Sequence, residues 1–451
     1  MVAKSIKLNA KFKMQIEKCK FRNTLMGKII LIFISFILQF SFFNVNAPLF
    51  AAADDHGHEQ KKVAAPAAKT DKLFNEFYIP TPYSQPYKIA ADHNNIIWFV
   101  EQSSNKLGKF DPKTSKFTEY LVPSAKDISA NWKFSETERK PFTGGYSVSS
   151  AGSLAGLAID SKGNVWFTVV LGNKIGKFAS NKEEFHEYTV PTPASGPFSL
   201  AIDSKDNIWF TERNANKIGK WGAAASSFKE YSIPTLNSKP AGIAIDKKDN
   251  IWFVMSDANK IGMLEQATGK FKEYNILTPM ANANDIAVDS KDNIWFTEVS
   301  ANKLGMFSIQ MDRFDEAIIP SLSSVPMNLA IDKYDRIWFT ENKGNKIGMF
   351  DPATAIFKEY DIPTNQSFPL GITIDHSGNI WFVESDREVN KIAYVAGLAG
   401  VPPKSLEVGA LNSSDKKIGA QFVIIIIIIV MVITILMSYF LMSFRKANKK
   451  L

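Results

Sequence analysis

The 451-residue sequence contains one cysteine, Cys19, and five histidines. A lone thiol excludes a disulfide framework and a cysteine-based zinc centre. Five histidines leave little material for histidine-rich metal chemistry. Helical periodicity is missing from the middle of the chain, which excludes a helical bundle or an α/β arrangement there. A basic surface is missing too, although the formal net charge is +8. Residues 1–28 hold eight Lys or Arg against one acid, Glu17, and the last seven residues hold Arg445, Lys446, Lys449 and Lys450. The two ends therefore sum to +11, and the 416 residues between them carry −3. A mildly acidic middle excludes a nucleic-acid surface. Hydrophobic residues at 45% and charged residues at 22% exclude a mostly disordered chain.

Each basic end adjoins an apolar run. Ile29–Phe43 is followed by small residues at Ala51–Ala53, an order that reads as a secretory signal over residues 1–53. Cleavage near Ala47 or Ala53 is the first reading and an uncleaved N-terminal anchor the alternative. Phe422–Phe444 is 23 residues without a charge. At about 1.5 Å per residue such a helix crosses a hydrocarbon core of about 30 Å. A transmembrane helix is expected over 421–444, with a basic cytoplasmic tail over 445–451 under the positive-inside rule. Both ends then give one topology, a cell-membrane protein with a single C-terminal span and its bulk outside the cytoplasm. Residues 54–72 and 397–420 read as linkers. His56 and His58 lie in the first and are read as part of a solvated segment rather than as metal ligands.

What the middle does have is a repeat. Trp-Phe recurs at Trp98, Trp166, Trp209, Trp252, Trp295, Trp338 and Trp381, at intervals of 68 and then five times 43 residues. A fixed period in this range means a solenoid or a propeller. The unit holds four β-type runs of the form GIAID, NIWFTE, KIGKF and FKEYxIP, separated by turn residues. Four short antiparallel strands make one propeller blade. The outer run also occurs seven times, beginning at Phe74, Phe117, Phe185, Phe228, Phe271, Phe314 and Phe357. Its first copy precedes the first inner hairpin, and the last hairpin lacks one. The expectation is an all-β, seven-bladed propeller over 73–396, closed by the N-terminal outer strand. Closure removes exposed sheet edges without disulfides. The seven Asn-Lys pairs, Asn105-Lys106 through Asn390-Lys391, read as turn chemistry.

Ligands of propellers meet the rim formed by loops entering the first strand and leaving the second. Two positions there vary from blade to blade. One, just before the I-A-I-D run, holds Lys88, Gly156, Ser199, Gly242, Asp285, Asn328 and Gly371. The other, after W-F-x, holds Glu101, Val169, Glu212, Met255, Glu298, Glu341 and Glu384. The two are 13 residues apart and are expected to face each other across the hairpin. Asp285 would then oppose Glu298, a like-charge pair that is destabilising unless neutralised. Either a divalent cation such as magnesium or calcium, with Asn284 and Asn328 adding oxygen ligands, or two splayed and solvated carboxylates would answer. The long first interval places an insertion over 124–150 on the same rim, carrying Trp132, Phe134, Arg139, Lys140, Phe142 and Tyr146. It reads as a lid or as a variable surface loop. Candidate ligand-binding residues are therefore Lys88, Glu101, Glu212, Asn284, Glu341, Glu384, Trp132, Arg139 and Tyr146, with Asp285, Glu298 and Asn328 as the candidate metal set. His93 and His376 fall on the opposite rim and His186 in an outer strand, so no histidine-based catalytic set assembles.

The unit P-x-G-I-A-I-D…N-I-W-F-T-E…N-K-I-G-K-F closely resembles the streptogramin B (virginiamycin B) lyase family of seven-bladed propellers, and more loosely the gluconolactonase-like and NHL-repeat propellers. The resemblance covers about residues 73–396. It implies the fold and a magnesium-dependent elimination that opens a cyclic depsipeptide at its ester bond, using rim histidines with a glutamate. The position after the rim proline is here Tyr87, Phe198, Ala241, Met327 or Leu370, and Ala155 and Asn284 in the blades without that proline. None is histidine. The leading expectation is a membrane-anchored propeller binding an extracytoplasmic small molecule, peptide or protein at the rim. The alternatives are a divergent metal-dependent lyase or lactonase acting on a cyclic ester there, and a structural envelope component.

Overall fold

A computed structural model describes residues 73–124 and 154–402. Seven four-stranded antiparallel sheets form the blades of a propeller. Blade 1 is β2 (Pro86–Ala91), β3 (Ile97–Glu101), β4 (Lys106–Asp111) and β5 (Lys116–Leu121), in order from the channel outward. The same order repeats in β6–β9 over 154–189, β10–β13 over 197–232, β14–β17 over 240–275, β18–β21 over 283–318 and β22–β25 over 326–361. Blade 7 joins β26 (Pro369–Ile374), β27 (Ile380–Glu384) and β28 (Lys391–Val395) to β1 (Phe74–Tyr78), the N-terminal strand expected to close the ring. Phe74 pairs with Val395 and Tyr78 with Lys391, so the seam is a full antiparallel ladder.

The repeated side chains explain why each segment folds as it does. In the first hairpin turn an aspartate accepts hydrogen bonds from backbone amides two and four residues on and from the tryptophan six residues on. Asp203, for example, takes the amides of Lys205 (3.0 Å) and Asn207 (2.9 Å) and the Trp209 indole N–H (2.9 Å). The buried indole is thereby satisfied. Gly219 in β12 is required because a Cβ there would lie 2.2 Å from the Phe210 ring. In six blades the tryptophan stacks on an aromatic ring of the outer strand: Trp98 on Tyr120, Trp166 on Tyr188, Trp209 on Tyr231, Trp252 on Tyr274, Trp338 on Tyr360 and Trp381 on Phe77.

The asparagines of the Asn-Lys pairs do more than turn the chain. Asn216 sits in the left-handed region at φ 58°. Its amide donates to the carbonyls of Ile233 (3.2 Å) and Thr235 (3.0 Å), and its oxygen accepts from the Ser238 backbone N–H (2.8 Å) and hydroxyl (2.7 Å). It thus ties blade 3 to the segment that opens blade 4, and Asn302, Asn345 and Asn390 repeat this pattern.

At the lower rim, formed by the first and third turns of each blade, the chain enters and leaves together. The Ala396 N–H donates to the Leu73 carbonyl at 3.2 Å. A single 3-10 turn, Leu398–Gly400, docks there. Blade 6 carries Arg336 where most other blades carry asparagine. Fully buried, Arg336 donates to Asp332 (2.6 Å) and to the Leu398 carbonyl (3.0 Å), and the Tyr334 hydroxyl donates to the Gly400 carbonyl (3.2 Å).

No helix among the described residues is long and apolar enough to cross a membrane. The signal or anchor reading of 1–53, the linker at 54–72, the spacer after residue 402, the helix expected over 421–444 and the tail lie outside the described residues. So does nearly all of the insertion, with Trp132, Arg139 and Tyr146.

Candidate functional site

The first strand of every blade carries a bulge, and the bulge sets the geometry of the upper channel mouth. In blade 1 Pro86 pairs with Glu101 and Ile89 with Phe99, so two residues of β2 oppose one of β3. In blade 5 the residue facing Glu298 is Ala283, not Asp285. The expected like-charge pair is therefore not formed: continued from Ile286–Phe296, the ladder sets Asp285 beside Thr297, whose hydroxyl accepts from the Asp285 N–H (3.1 Å), and the bulge hands Glu298 on to Ala283.

Asp285 turns toward the channel and the neighbouring blade. One of its oxygens accepts from Lys88 Nζ (3.0 Å), from Asn328 Nδ2 (2.7 Å) and from the Leu329 N–H (3.3 Å). Lys88 reaches it from blade 1, so the ion pair spans the mouth between blades 1 and 5. The channel is narrow enough for this because small residues line it elsewhere. A Cβ on Gly242 would meet the Asp285 Cα at 2.7 Å. Asn284 does not join the carboxylate; its amide donates to the Met327 carbonyl of blade 6 (3.0 Å).

Beside the ion pair lies a cluster that sequence reasoning did not assemble. Tyr87 meets Phe198 edge-on at 6.2 Å, and the Arg213 guanidinium lies 4.9 Å over the Phe198 ring. Burial pushes the Tyr87 hydroxyl up to about 12; Arg213 pulls it down and Asp285 pushes it up. The signal was present in the sequence, as large residues after the rim proline in some blades and Arg213 directly after the W-F-T-E run. Only the ring closure brings blades 1 and 3 together across the mouth.

The five glutamates at the second rim position do not face the mouth. Glu101, Glu212, Glu298, Glu341 and Glu384 are completely buried inside their blades. Glu101, Glu212, Glu341 and Glu384, expected as ligand-binding residues of the rim, and Glu298, expected as a metal ligand, thus lie in the blade interior. Each looks along its blade toward an outer-strand glutamate and the lysine of the Asn-Lys pair. Burial first, then the neighbouring outer glutamate, raises Glu212 and Glu341 to about 7 and Glu101, Glu298 and Glu384 to about 8. Three of the outer partners, Glu230, Glu316 and Glu359, move the other way: for Glu230, hydrogen bonds from Thr192 and Lys217 outweigh desolvation and lower it. Lys217 donates to Glu230 at 3.0 Å and to the Thr192 hydroxyl at 2.7 Å. In blades 2 and 4 the glutamate is replaced by Val169 and Met255.

The mouth does not fit the magnesium ion that the family resemblance implies. Asp285 is its one acidic first-strand residue and already holds a lysine. Among the described residues no group of three or more His, Cys, Asp and Glu could hold a metal. His93 and His376 lie in the first-hairpin turns of the lower rim, and His186 is in β9, 3.9 Å from Glu184 at the surface. The root of the insertion is held at the upper rim, where the Ser124 hydroxyl donates to Glu187.

Comparison with known proteins agrees with this architecture. The model of the virginiamycin B lyase family matches residues 143–335. The virginiamycin B lyase of Staphylococcus aureus is 28% identical, with a TM-score of 0.61 over 71% of this chain and 98% of that one. A catalytically inactive histidine-to-alanine variant of that enzyme, solved with quinupristin, gives the same identity of 28% and TM-score of 0.61. The extracellular domain of a putative one-component system from B. thetaiotaomicron, at 13% identity and a TM-score of 0.52 over 72% of this chain and 40% of that one, shares the fold alone. A streptogramin B lyase structure is 30% identical over 71% of this chain and 96% of its own length, with a TM-score of 0.61, and the chain belongs to the virginiamycin B lyase family.

Proposed function

We propose that this protein is a membrane-tethered, extracytoplasmic propeller that binds a peptide-like ligand with aromatic groups at its upper mouth. The observation that carries this is the Lys88–Asp285 ion pair beside the Arg213–Phe198–Tyr87 shelf. A charged pair that ligand groups can replace, next to an aromatic face and a guanidinium, suits amides and aromatic rings. An elimination at an ester needs a general base near the reacting proton, and no described histidine stands at this mouth. Binding is therefore favoured over lyase chemistry. The charge-free run 422–444 with its basic tail supports the tether. Chain entry and exit at the lower rim suit a mouth turned away from the membrane.

The test uses the full chain in detergent with quinupristin, the molecule solved with the S. aureus variant. Saturable binding is expected in calorimetry, weakened at least tenfold by Arg213→Ala and by Lys88→Ala. Reversed-phase chromatography of the recovered ligand should show it unopened. Opened product would favour the divergent lyase. Absent binding, or binding untouched by both substitutions, would remove the mouth as the site for this ligand class.

A further inference from the structure

The seven blades are close copies, so a missing part in one of them stands out. In six blades an aromatic ring of the outer strand stacks on the tryptophan. In four of these the ring is also covered by an aromatic of the next blade. Tyr120 lies 4.5 Å from Phe178, Tyr188 4.1 Å from Trp221, Tyr274 4.4 Å from Phe307 and Phe77 4.6 Å from Phe110, all between ring centroids. Blade 5 keeps both covers, Trp295 and Phe350, with centroids 5.9 Å apart. Against this pair, where the sister blades set a tyrosine or phenylalanine beside both rings, it has Ala317.

Ala317 opens onto a cleft of about 290 Å³ at the lower rim, apolar at Trp295, Met306, Ala317 and Phe350 and polar toward Asp289, Asn293 and Glu316. An apolar cavity of about 150 Å³ is enough to take up benzene. We infer that this slot binds the aromatic ring of a small molecule, of the phenol or phenyl class, in the place that tyrosine occupies in the sister blades. The geometry commits the occupant to a flat ring, because the same pair of aromatics packs a third ring against both of its members in sister blades. The occupant comes from outside the chain's own linkers: residues 54–72 and 403–420 contain no Phe, Trp or Tyr. Asp315 and Asp335 against Lys291 at the mouth leave the rim polar, which suits a hydroxyl on the outer edge of the ring.

The site is at the opposite rim from the Lys88–Asp285 mouth, so its fate is independent of the function proposed there. The probe is p-cresol, the tyrosine side chain as a free molecule. Calorimetry on the full chain should show one saturable site for p-cresol. Cyclohexanol, similar in size but not flat, should bind at least tenfold more weakly. Ala317→Tyr restores the repeat; it should abolish p-cresol binding and raise the melting temperature by a few degrees. If Ala317→Tyr does not fold, Ala317→Leu fills the slot and should also abolish binding. Absent saturable binding, equal binding of cyclohexanol, or p-cresol binding that survives the filled slot would each overturn the inference.

Discussion

Lys88 and Asp285 are 197 residues apart in sequence and 3.0 Å apart in the folded chain, where they close the channel mouth between blades 1 and 5. The pair is asymmetric, with the lysine side chain 21% exposed and the aspartate 11%. Removing the less exposed partner's counter-charge should cost more than the reverse. Lys88→Met leaves Asp285 with Asn328 and one backbone amide, and should cost about 1–3 kcal/mol. Asp285→Asn leaves a lysine that can reach water, and should cost less than about 1 kcal/mol. Urea unfolding of both variants and of the double variant checks this. Because the carboxylate holds a lysine, millimolar magnesium or calcium should leave the wild-type melting temperature unchanged.

The buried glutamates make stability fall as pH rises. Their folded pKa values lie above the ordinary carboxyl value, so between about pH 4.5 and 8 the folded chain binds more protons than the unfolded one. Their stabilising contribution is complete below about pH 4.5 and is lost as pH passes through the values near 7 and 8. Glu230, Glu316 and Glu359 act oppositely and lose their contribution only on acidification. Glu212→Gln keeps the shape and cannot ionise. It should leave the melting temperature at pH 5 nearly unchanged and raise it by a few degrees at pH 8.5. A Glu212→Gln profile parallel to wild type across this window would count against the argument.

Asn216 holds four hydrogen bonds and a left-handed backbone. Two substitutions separate these roles. Asn216→Ala should cost about 3 kcal/mol, because it strands buried backbone partners and places a Cβ at positive φ. Asn216→Gly removes only the side-chain bonds and should cost about 1 kcal/mol less. Equal losses in denaturant titration would mean that the backbone conformation is not a constraint.

Arg336→Asn replaces the blade 6 residue with the one found at that place in blades 2, 3, 4, 5 and 7. The bond to Asp332 can be remade, but the bond to the Leu398 carbonyl cannot. Global stability should change by less than about 1 kcal/mol, because a buried guanidinium with one unsatisfied nitrogen is exchanged for a smaller amide. Proteolysis within 396–402 should accelerate several-fold. Unchanged cleavage would show that Tyr334 and the backbone bonds of Ala396, Gly397 and Ala399 hold the segment without Arg336.

Much of this fold is legible in the sequence because a propeller is a local pattern written seven times. Trp-Phe spacing, the turn aspartates and the displaced outer strand at Phe74 give the blades and their closure without any long-range information. The site is legible only in part. The 13-residue spacing from Asp285 to Glu298 is one residue too long for the ladder that Ile286 and Phe296 define, and the bulge between Ala283 and Ile286 needs backbone geometry to see. Asp285 lies one place away from Glu298 on the ladder, beside Thr297, and turns to Lys88, whereas Glu298 stays inside the blade. The burial of the five glutamates is hidden for a related reason. A carboxylate after W-F-x looks like a rim acid until its neighbours, an outer glutamate and a lysine, are placed around it. Ala317 was visible as a break in the F-x-E-Y run, but its meaning depends on Phe350 standing across the gap.

The seam between Phe74 and Val395 also has a mechanical consequence. Both chain ends leave the ring at one point, so tension on them peels the ladder open one hydrogen bond at a time and does not shear it as a whole. Arg336 and Tyr334 grip the chain beyond the seam, at Leu398 and Gly400. A load arriving from the C-terminus meets this clamp first, and the ring stays shut until the clamp lets go.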